Sequence, residues 1–310
     1  MNSNDLHDVI IIGAGAAGLS AGLVLARAQA DVLLIDSGAQ RNAPATHMHG
    51  FITRDGIPPA EFLAAGGDEL TRYGASVLHA RVTGVDRESD GTFVVSTDTG
   101  SVRARAILIA TGLIDELPDI PGVRERWGTL VHHCPYCHGH EVIGRNIAVI
   151  GGVVREMSIK QAALLRSYSD RVSFITNGIE LSETERHRLA SFGVHVVDET
   201  VAHLTGEDGH LTGVALGGGG GVVDCEAVFI APRQNPRDEL LRALGCDIDD
   251  SSGLTRADGF GQTSVPGVWA AGNVVTPTAQ VITAAGAGSA AAIAINGWLL
   301  KLNLDAAAAA

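Results

Sequence analysis

The sequence predicts an α/β protein with two three-layer domains, the second of which is inserted into the first. A pattern of strand, turn, helix and strand opens the chain at "DVIIIGAGAAGLSAGLVLARAQADVLLID". A second such pattern begins at "NIAVIGGVVREMSIKQAALLRSYSDRVSFITNG", and a segment rich in glycine and alanine follows near the end. Because neighbouring parallel strands need a crossover, usually a helix, each pattern predicts one βαβ unit.

The first βαβ unit carries a GxGxxG motif directly after its first strand. Gly13 permits a tight turn, Gly15 lets backbone amides approach a pyrophosphate, and Gly18 lets the helix pack closely on the strand. Asp36 ends the next strand, where a carboxylate accepts hydrogen bonds from ribose hydroxyls. The unit therefore predicts a Rossmann-like domain that binds a dinucleotide.

The second unit predicts strands at 146–151 and 171–176 and a helix at 156–168, but its motif is degenerate. Gly151 fits the first glycine position, whereas Val153 and Glu156 occupy the other two. Val153 would block the pyrophosphate, and Glu156 places a negative charge where a phosphate should meet the helix N-terminus. The following "FITNG" offers neither arginines for a 2′-phosphate nor an acid for a ribose. We expect a Rossmann-like domain of the nicotinamide-binding type that has lost its ligand.

Antiparallel strand patterns follow the glycine motifs in both halves of the chain. The five glycines at 217–221 lie between two such patterns and predict a hairpin tip rather than a phosphate loop. Polar, proline-containing segments at 117–127 and 233–238 predict the crossings between domains. We therefore expect one discontinuous domain at 1–116 and 246–310, with the inserted domain at 117–245.

Composition narrows the classes of function. The formal net charge is −13 and the sequence has no cluster of Lys and Arg, which argues against binding nucleic acid or an anionic membrane. The N-terminal segment shows no positively charged leader, and its apolar run at 9–12 is too short for a membrane span. We expect a cytoplasmic protein, in which a CxxC pair is more often catalytic or metal-binding than structural.

The segment "HHCPYCHGHE" at 132–141 contains such a pair, Cys134 and Cys137. Zinc binding, attachment of a c-type haem, inert core cysteines and a redox-active disulfide all remain open for this pattern. A structural zinc site normally takes further ligands from a second pair, which is missing here, and haem attachment requires export. The polar surroundings favour the redox pair over inert core residues, and no metal is expected.

Two further segments, "AILIATG" at 106–112 and "TSVPGVWAAGNVVTPTAQVITAAGAGSAAAIAING" at 263–297, resemble the FAD motifs of two-domain pyridine-nucleotide disulfide oxidoreductases. The order of these motifs around the CxxC resembles low-molecular-weight thioredoxin reductases over nearly the whole chain. The resemblance implies FAD as the cofactor. It implies FAD-binding residues at Gly13, Gly15, Gly18, Asp36, Ser37, Arg41, Asn42, His49, Thr111, Gly112, Gly272, Asn273, Gln280 and Val281.

The same resemblance implies that Cys137 is the flavin-facing thiol and that Cys134 exchanges with substrate. Thioredoxin reductases have Asp after the second cysteine, whereas this chain has His138, an imidazole that can act as a base near neutral pH. His140 and Glu141 are alternative bases or orienting partners. Asn273 stands where most of the family has Asp, which removes a charge and should alter the electrostatics at the flavin.

The combination of "CPYCH", a lost nicotinamide motif and Asn273 resembles FAD-dependent dithiol oxidases that close intramolecular disulfides in natural products such as gliotoxin and holomycin. That resemblance implies a small-molecule dithiol as substrate and O2 as electron acceptor, giving H2O2. A thioredoxin reductase fed by NADPH or ferredoxin remains an alternative, as does a flavin-bearing redox sensor or binding protein. A homodimer is expected from the resemblance and from the apolar helix "AAAIAINGWLL".

Overall fold

The structure, a computed structural model, describes residues 6–207 and 209–309. It divides the chain into two compact units. The first, discontinuous unit comprises Met1–Ala43, Gly50–Ile114 and Asn235–Ala310. The second, inserted unit comprises Pro44–His49 and Asp115–Gln234.

The strands are β1 (Leu6–Ile12), β2 (Val32–Asp36), β3 (Ser76–His79), β4 (Val82–Arg87), β5 (Phe93–Thr97), β6 (Gly100–Ile109), β7 (Leu113–Glu116), β8 (Val131–His132), β9 (Ile147–Ile150), β10 (Val172–Ile175), β11 (Val194–Val197), β12 (Val201–Thr205), β13 (Gly213–Leu216), β14 (Val222–Asp224), β15 (Ala227–Ile230), β16 (Arg233–Pro236) and β17 (Val268–Ala270). The α-helices are α1 (Ala16–Arg27), α2 (Pro59–Thr71), α3 (Pro135–His138), α4 (Arg155–Leu165), α5 (Glu183–Ser191), α6 (Glu239–Ala243) and α7 (Val281–Ala309). Short 3₁₀ helices lie at Arg124–Arg126, His140–Val142, Gly217–Gly219 and Gly272–Val274.

The discontinuous unit is built on a sheet with strand order β3-β2-β1-β6-β5-β4, in which β17 also pairs with β6. The long strand β6 runs parallel to β1 and β17 and antiparallel to β5. Ile109 of β6 is in register with both Ile12 of β1 and Ala270 of β17. The carboxyl ends of these strands therefore meet at one edge of the sheet, which is where ligands bind in open α/β sheets.

Helices α1 and α7 pack on each other in the core of the discontinuous unit. Gly288 of α7 is needed for this approach, because a Cβ there would overlap the carbonyl oxygen of Ala17 in α1. Among the helices that the structure describes, only α7 is long and apolar enough to cross a membrane by length and composition. Core helices of soluble proteins can pass the same test, and 33% of the most apolar window of α7 is buried.

The inserted unit is built on a parallel sheet with order β11-β10-β9-β15-β8, accompanied by the antiparallel sheet β12-β13-β14. Helix α4 begins and ends earlier than the predicted 156–168. The helix ends at Leu165, and the backbone N–H groups of residues 166–168 each donate to a carbonyl three positions earlier, which is a tighter turn than the α-helix. The five glycines join β13 to β14, which confirms the predicted hairpin.

The predicted α/β fold with two Rossmann-like sheets is confirmed. The compact units change at 114/115 and 234/235, within β7 and β16, which pair as a two-stranded sheet. The domain boundaries drawn from the sequence, 1–116 with 246–310 and 117–245, stay predictions. Segment 44–49 groups with the inserted unit, and no local pattern in the sequence indicates this.

Candidate active site

The first glycine loop has the geometry of a phosphate-binding turn. Gly13 has φ +104° and packs so tightly that a Cβ would overlap the carbonyl oxygen of Ala110. A Cβ on Gly18 would overlap the carbonyl oxygen of Gly13, whereas Gly15 has open space on that side. Two of the glycines are therefore needed for packing, and the third leaves room for a ligand at the N-terminus of α1.

Asp36 is hydrogen-bonded within this loop region. One carboxylate oxygen accepts from the backbone N–H of Ala14 at 3.2 Å. The other accepts from the backbone N–H of Gly38 at 3.2 Å and from the side chain of Gln40 at 3.0 Å. Asp36 thus links the end of β2 to the glycine loop, and the oxygen that accepts only from Ala14 retains acceptor capacity for a ribose hydroxyl.

The three predicted cofactor segments of the discontinuous unit come together at the carboxyl edge of its sheet. Gly13 follows β1, Thr111 and Gly112 follow β6, and Gly272 follows β17. Arg237, which the sequence analysis did not single out, holds this edge. Its carbonyl accepts from the Thr111 hydroxyl at 2.7 Å, and its backbone N–H donates to Gly112.

The remaining predicted cofactor residues lie in two loops and one helix start. Ser37, Arg41 and Asn42 lie in the loop after β2, and Gln280 and Val281 lie where α7 begins. His49 belongs to the inserted unit, unlike the other predicted FAD-binding residues. Their roles toward the cofactor stay predictions.

Asn273 has a structural role that the sequence did not indicate. Its side-chain nitrogen lies 3.1, 3.1 and 2.9 Å from the carbonyl oxygens of Thr276, Pro277 and Ala279, which share its two N–H donors. A carboxylate at this position has no proton to donate at neutral pH and would face three acceptors. The amide therefore fixes the turn that leads into α7.

In the inserted unit, the CxxC pair is a disulfide at the carboxyl end of β8. Cys134 caps the one-turn helix α3, and its carbonyl accepts from the backbone N–H groups of Cys137 and His138, both at 3.1 Å. Gly139 follows this turn. A glycine is required there because a side chain would collide with the ring of Tyr168 and the carbonyl of Pro135. Both cysteines are half-buried, while Tyr136 between them is 65% exposed.

His138 lies face to face with His132, the last residue of β8. Their ring centroids are 4.3 Å apart with an interplanar angle of 18°. Burial lowers the pKa of His132 to about 3, with a smaller contribution from the neighbouring His138 and His133, so this ring is uncharged near neutral pH. Burial also lowers the pKa of His138 below its usual value, against the opposing effect of Glu141. An uncharged imidazole therefore stands next to the disulfide at neutral pH.

Glu141 and His49 form a second contact beside this histidine. The His49 Nε2 atom lies 3.5 Å from a carboxylate oxygen of Glu141, whose side chain is 41% exposed. Glu141 raises the pKa of His138 and His49 lowers it, so both lie within electrostatic reach of that ring. His140 is exposed, and of the three predicted candidate bases only His138 lies against another buried imidazole.

In the second glycine loop, between β9 and α4, backbone groups are hydrogen-bonded to side chains of the chain itself. Gly151 is required by packing, since a Cβ would overlap the carbonyl oxygen of Thr176. The backbone N–H of Gly152 donates to the Ser158 hydroxyl at 3.2 Å. Val153 is 71% exposed. The N–H that a nucleotide loop would direct at a phosphate is thus already bonded.

The start of α4 also carries ion pairs that face the same loop. Arg155 donates to the carboxylates of Glu156 and Glu185 and to the carbonyl of Glu180. Beyond β10, the Asn177 side chain donates to Gly151 and accepts from Val201. Arg155, a cation at the start of α4, is therefore paired with carboxylates, which weakens its attraction for a phosphate.

The other cysteines are poor candidates for redox chemistry. Cys225 and Cys246 are buried free thiols, and burial raises the pKa of both, that of Cys225 to about 12. Within residues 6–207 and 209–309, no group of three or more His, Cys, Asp or Glu side chains could hold a metal ion. Cys134 and Cys137 are therefore the candidate cysteines for thiolate chemistry.

These features define a dinucleotide-binding fold that carries a redox-active disulfide. The profile of the pyridine nucleotide-disulphide oxidoreductase family matches residues 7–289. The chain belongs to this family and is an FAD-dependent thiol/disulfide oxidoreductase. The glycine loop fits FAD, because Gly15 leaves open space where backbone amides and the N-terminus of α1 point.

Curated relatives and solved structures agree with this assignment. The thioredoxin reductase sirT of Leptosphaeria maculans is 29% identical, with 97% of each chain covered. The thioredoxin reductase tcpT of Claviceps purpurea is 32% identical, with 88% of each chain covered. The crystal structure of HlmI has a TM-score of 0.94 at 47% identity and covers 97% of this chain and 95% of its own. A putative thioredoxin reductase TrxB from Bacillus anthracis has a TM-score of 0.90 at 34% identity, with 95% and 99% covered.

Proposed function

We propose that this protein is an FAD-dependent dithiol oxidase that closes a disulfide, in the favoured case an intramolecular one, in a small-molecule dithiol. The observation that carries the proposal is that polar groups of the loop between β9 and α4, and of the start of α4, are already bonded within the chain. Gly152 bonds Ser158 there, and Arg155 pairs with Glu185. Without a nicotinamide site, the cysteine pair is the route by which this chain itself can bring electrons to a flavin, and this supports the direction from dithiol to flavin.

The chain's own residues account for the thiol chemistry. His138, uncharged at neutral pH, takes the proton of a substrate thiol, and the thiolate attacks the Sγ atom of Cys134. The bond between the two cysteines breaks, and Cys137 leaves as a thiolate. The second substrate thiol, once deprotonated, attacks the substrate sulfur bound to Cys134. The product disulfide departs, and both cysteines are left reduced.

FAD, when bound, supplies the acceptor for the two electrons of the reduced cysteines and passes them to O2, which with two protons becomes H2O2. The residues proposed to hold it are the glycine loop, Asp36 and the segments around Thr111 and Gly272. His140 and Glu141 are kept as alternative bases or orienting groups. Glu141 is supported in the orienting role because it contacts His49 and raises the pKa of His138.

The purified enzyme is expected to consume oxygen when given dithiothreitol alone, with about one H2O2 formed per dithiol oxidised. An oxygen electrode with a peroxide assay measures both quantities. Because the pKa of His138 lies below its usual value of 6.5, kcat/KM should hold as the pH falls through 6.5 and decline only further down. A single turnover without sustained uptake would instead identify a redox sensor or binding protein.

We also propose a homodimer in the cytoplasm. Helix α7 exposes Ile293, Leu300 and Leu304 at 64%, 57% and 61%, and their spacing of seven and four residues puts them on one face. A second copy of the chain would cover this face.

Light scattering at micromolar concentration should give twice the chain mass of 32.0 kDa. The double substitution Ile293→Glu with Leu300→Glu should give the monomer mass. A monomeric wild-type protein would rule out the dimer.

A further inference from the structure

The imidazole ring of His132, which stacks on His138, also contacts a side chain of the core. His132 is 6% exposed and ends β8, where it is in register with Phe229 of β15. The rings of His132 and Phe229 lie 5.3 Å apart at an angle of 48°. His132 therefore contacts both a core phenylalanine and His138, on a strand of the parallel sheet. It has little freedom to move.

The Nδ1 atoms of both histidines are buried and have no hydrogen-bond partner in the part of the chain that the structure describes. A buried ring nitrogen without a hydrogen-bond partner costs free energy. For His138 the consequence is directional. Its Nδ1 edge is closed to solvent and substrate, so proton exchange must use Nε2.

The charges around His138 make its orientation important. Glu141 raises its pKa, His49 lowers it, and the His132 ring stays uncharged near neutral pH. Phe229 of β15 contacts the His132 ring, and the neutral Gln161 of α4 donates its amide to the carbonyl of the adjacent His133 at 2.7 Å. A stacking partner without charge holds the plane of His138 without an electrostatic penalty when His138 takes up a proton.

We infer that His132 is a positioning residue for His138. Its buried ring is the flat surface that fixes the imidazole plane of His138 and keeps the Nδ1 edge closed, so that Nε2 meets the substrate thiol. The inference rests on the proposed role of His138 as the base in dithiol oxidation. It assigns to His132 no contact with substrate, disulfide or cofactor.

Two substitutions of similar volume separate stacking from simple filling of space. His132→Phe keeps a flat ring and removes the unpartnered nitrogen, whereas His132→Leu fills the site without a ring. We expect His132→Leu to lower kcat for dithiothreitol by about tenfold or more at unchanged KM, because a misoriented base slows proton transfer without weakening binding. His132→Phe should keep kcat within about threefold of wild type.

The neighbouring His133 provides the matched control, since its ring stacks on Trp127 at 5.6 Å. His133→Leu removes an adjacent stacked imidazole and should leave kcat within about twofold of wild type. If His132→Phe is as slow as His132→Leu, or if His132→Leu turns over like wild type, the positioning role is refuted.

Nuclear magnetic resonance of histidine-labelled protein tests the stack without any turnover. The ring protons of His138 should show upfield ring-current shifts in wild type and in His132→Phe, and these shifts should be lost in His132→Leu. Unchanged shifts in His132→Leu would overturn the inference even if activity falls. A wild-type enzyme that shows the shifts but oxidises no dithiol would refute the proposed function and leave the stack in place.

Discussion

Replacing either Cys134 or Cys137 with serine is expected to abolish dithiol-dependent oxygen uptake while the purified protein stays yellow. The disulfide between them is the group that a substrate thiolate attacks, and a serine oxygen can neither be attacked in this way nor leave as a thiolate. Turnover should fall by a factor on the order of 10³ or more, as for other residues that act as one catalytic unit. FAD content should be unchanged, because the glycine loop and its partners lie in the other compact unit.

The two remaining cysteines give the control for this experiment. Cys225 and Cys246 are buried, and burial raises the pKa of both thiols, so neither supplies a thiolate near neutral pH. Cys225→Ala and Cys246→Ala should therefore retain turnover per folded protein. Oxygen uptake at the wild-type rate in Cys134→Ser or Cys137→Ser would sink the proposed mechanism.

The second large effect concerns the source of electrons. In anaerobic stopped-flow experiments, dithiothreitol should bleach the oxidised flavin band at about 450 nm, whereas about 1 mM NADPH or NADH should leave this band unchanged. Three features of the inserted unit oppose a nicotinamide nucleotide. Ser158 takes the backbone N–H of Gly152, Val153 is exposed where the second glycine would be, and Arg155 is paired with carboxylates.

A double substitution checks the physical reason. Val153→Gly with Glu156→Ala removes the bulk and one negative charge, yet Arg155 would still be held by Glu185, and Asn177 would still be committed to Gly151 and Val201. We therefore expect no rapid bleaching by NADPH in this variant either. Rapid bleaching of the wild type by NADPH, with none by dithiol, would return the protein to the reductases that its relatives are named for.

The sequence by itself determined the features that follow from short spacings. Gly13, Gly15 and Gly18 lie within six residues, and their turn, close packing and open side are properties of one strand and one helix. The CxxC spacing likewise brings its two sulfur atoms together within one turn of helix, with Cα atoms 5.2 Å apart. The order of these motifs predicted the fold class, and their resemblance to a known family implied the cofactor.

Helix ends and side-chain partners were less accessible from the sequence. Helix α4 ends before its predicted end, and the carbonyl of Tyr168 accepts from the backbone N–H of Gly144, more than twenty positions earlier in the chain. Asn273 was expected to act through the charge it lacks, and its role in holding three carbonyl oxygens depends on the shape of the turn before α7. A spacing pattern contains neither of these contacts.

Only the tertiary structure decided what surrounds the candidate base. His132 was one of several histidines in the sequence. Its ring is buried and uncharged because β8 pairs with β15, which places Phe229 in contact with it. His49 reaches Glu141 across more than ninety positions of chain. The pKa of an imidazole depends on burial and on nearby charges, and both are set by strands and loops that are distant in sequence. The sequence therefore predicted which groups carry the chemistry, and the packing of the sheet decided which of the candidate histidines lies against a buried, uncharged ring.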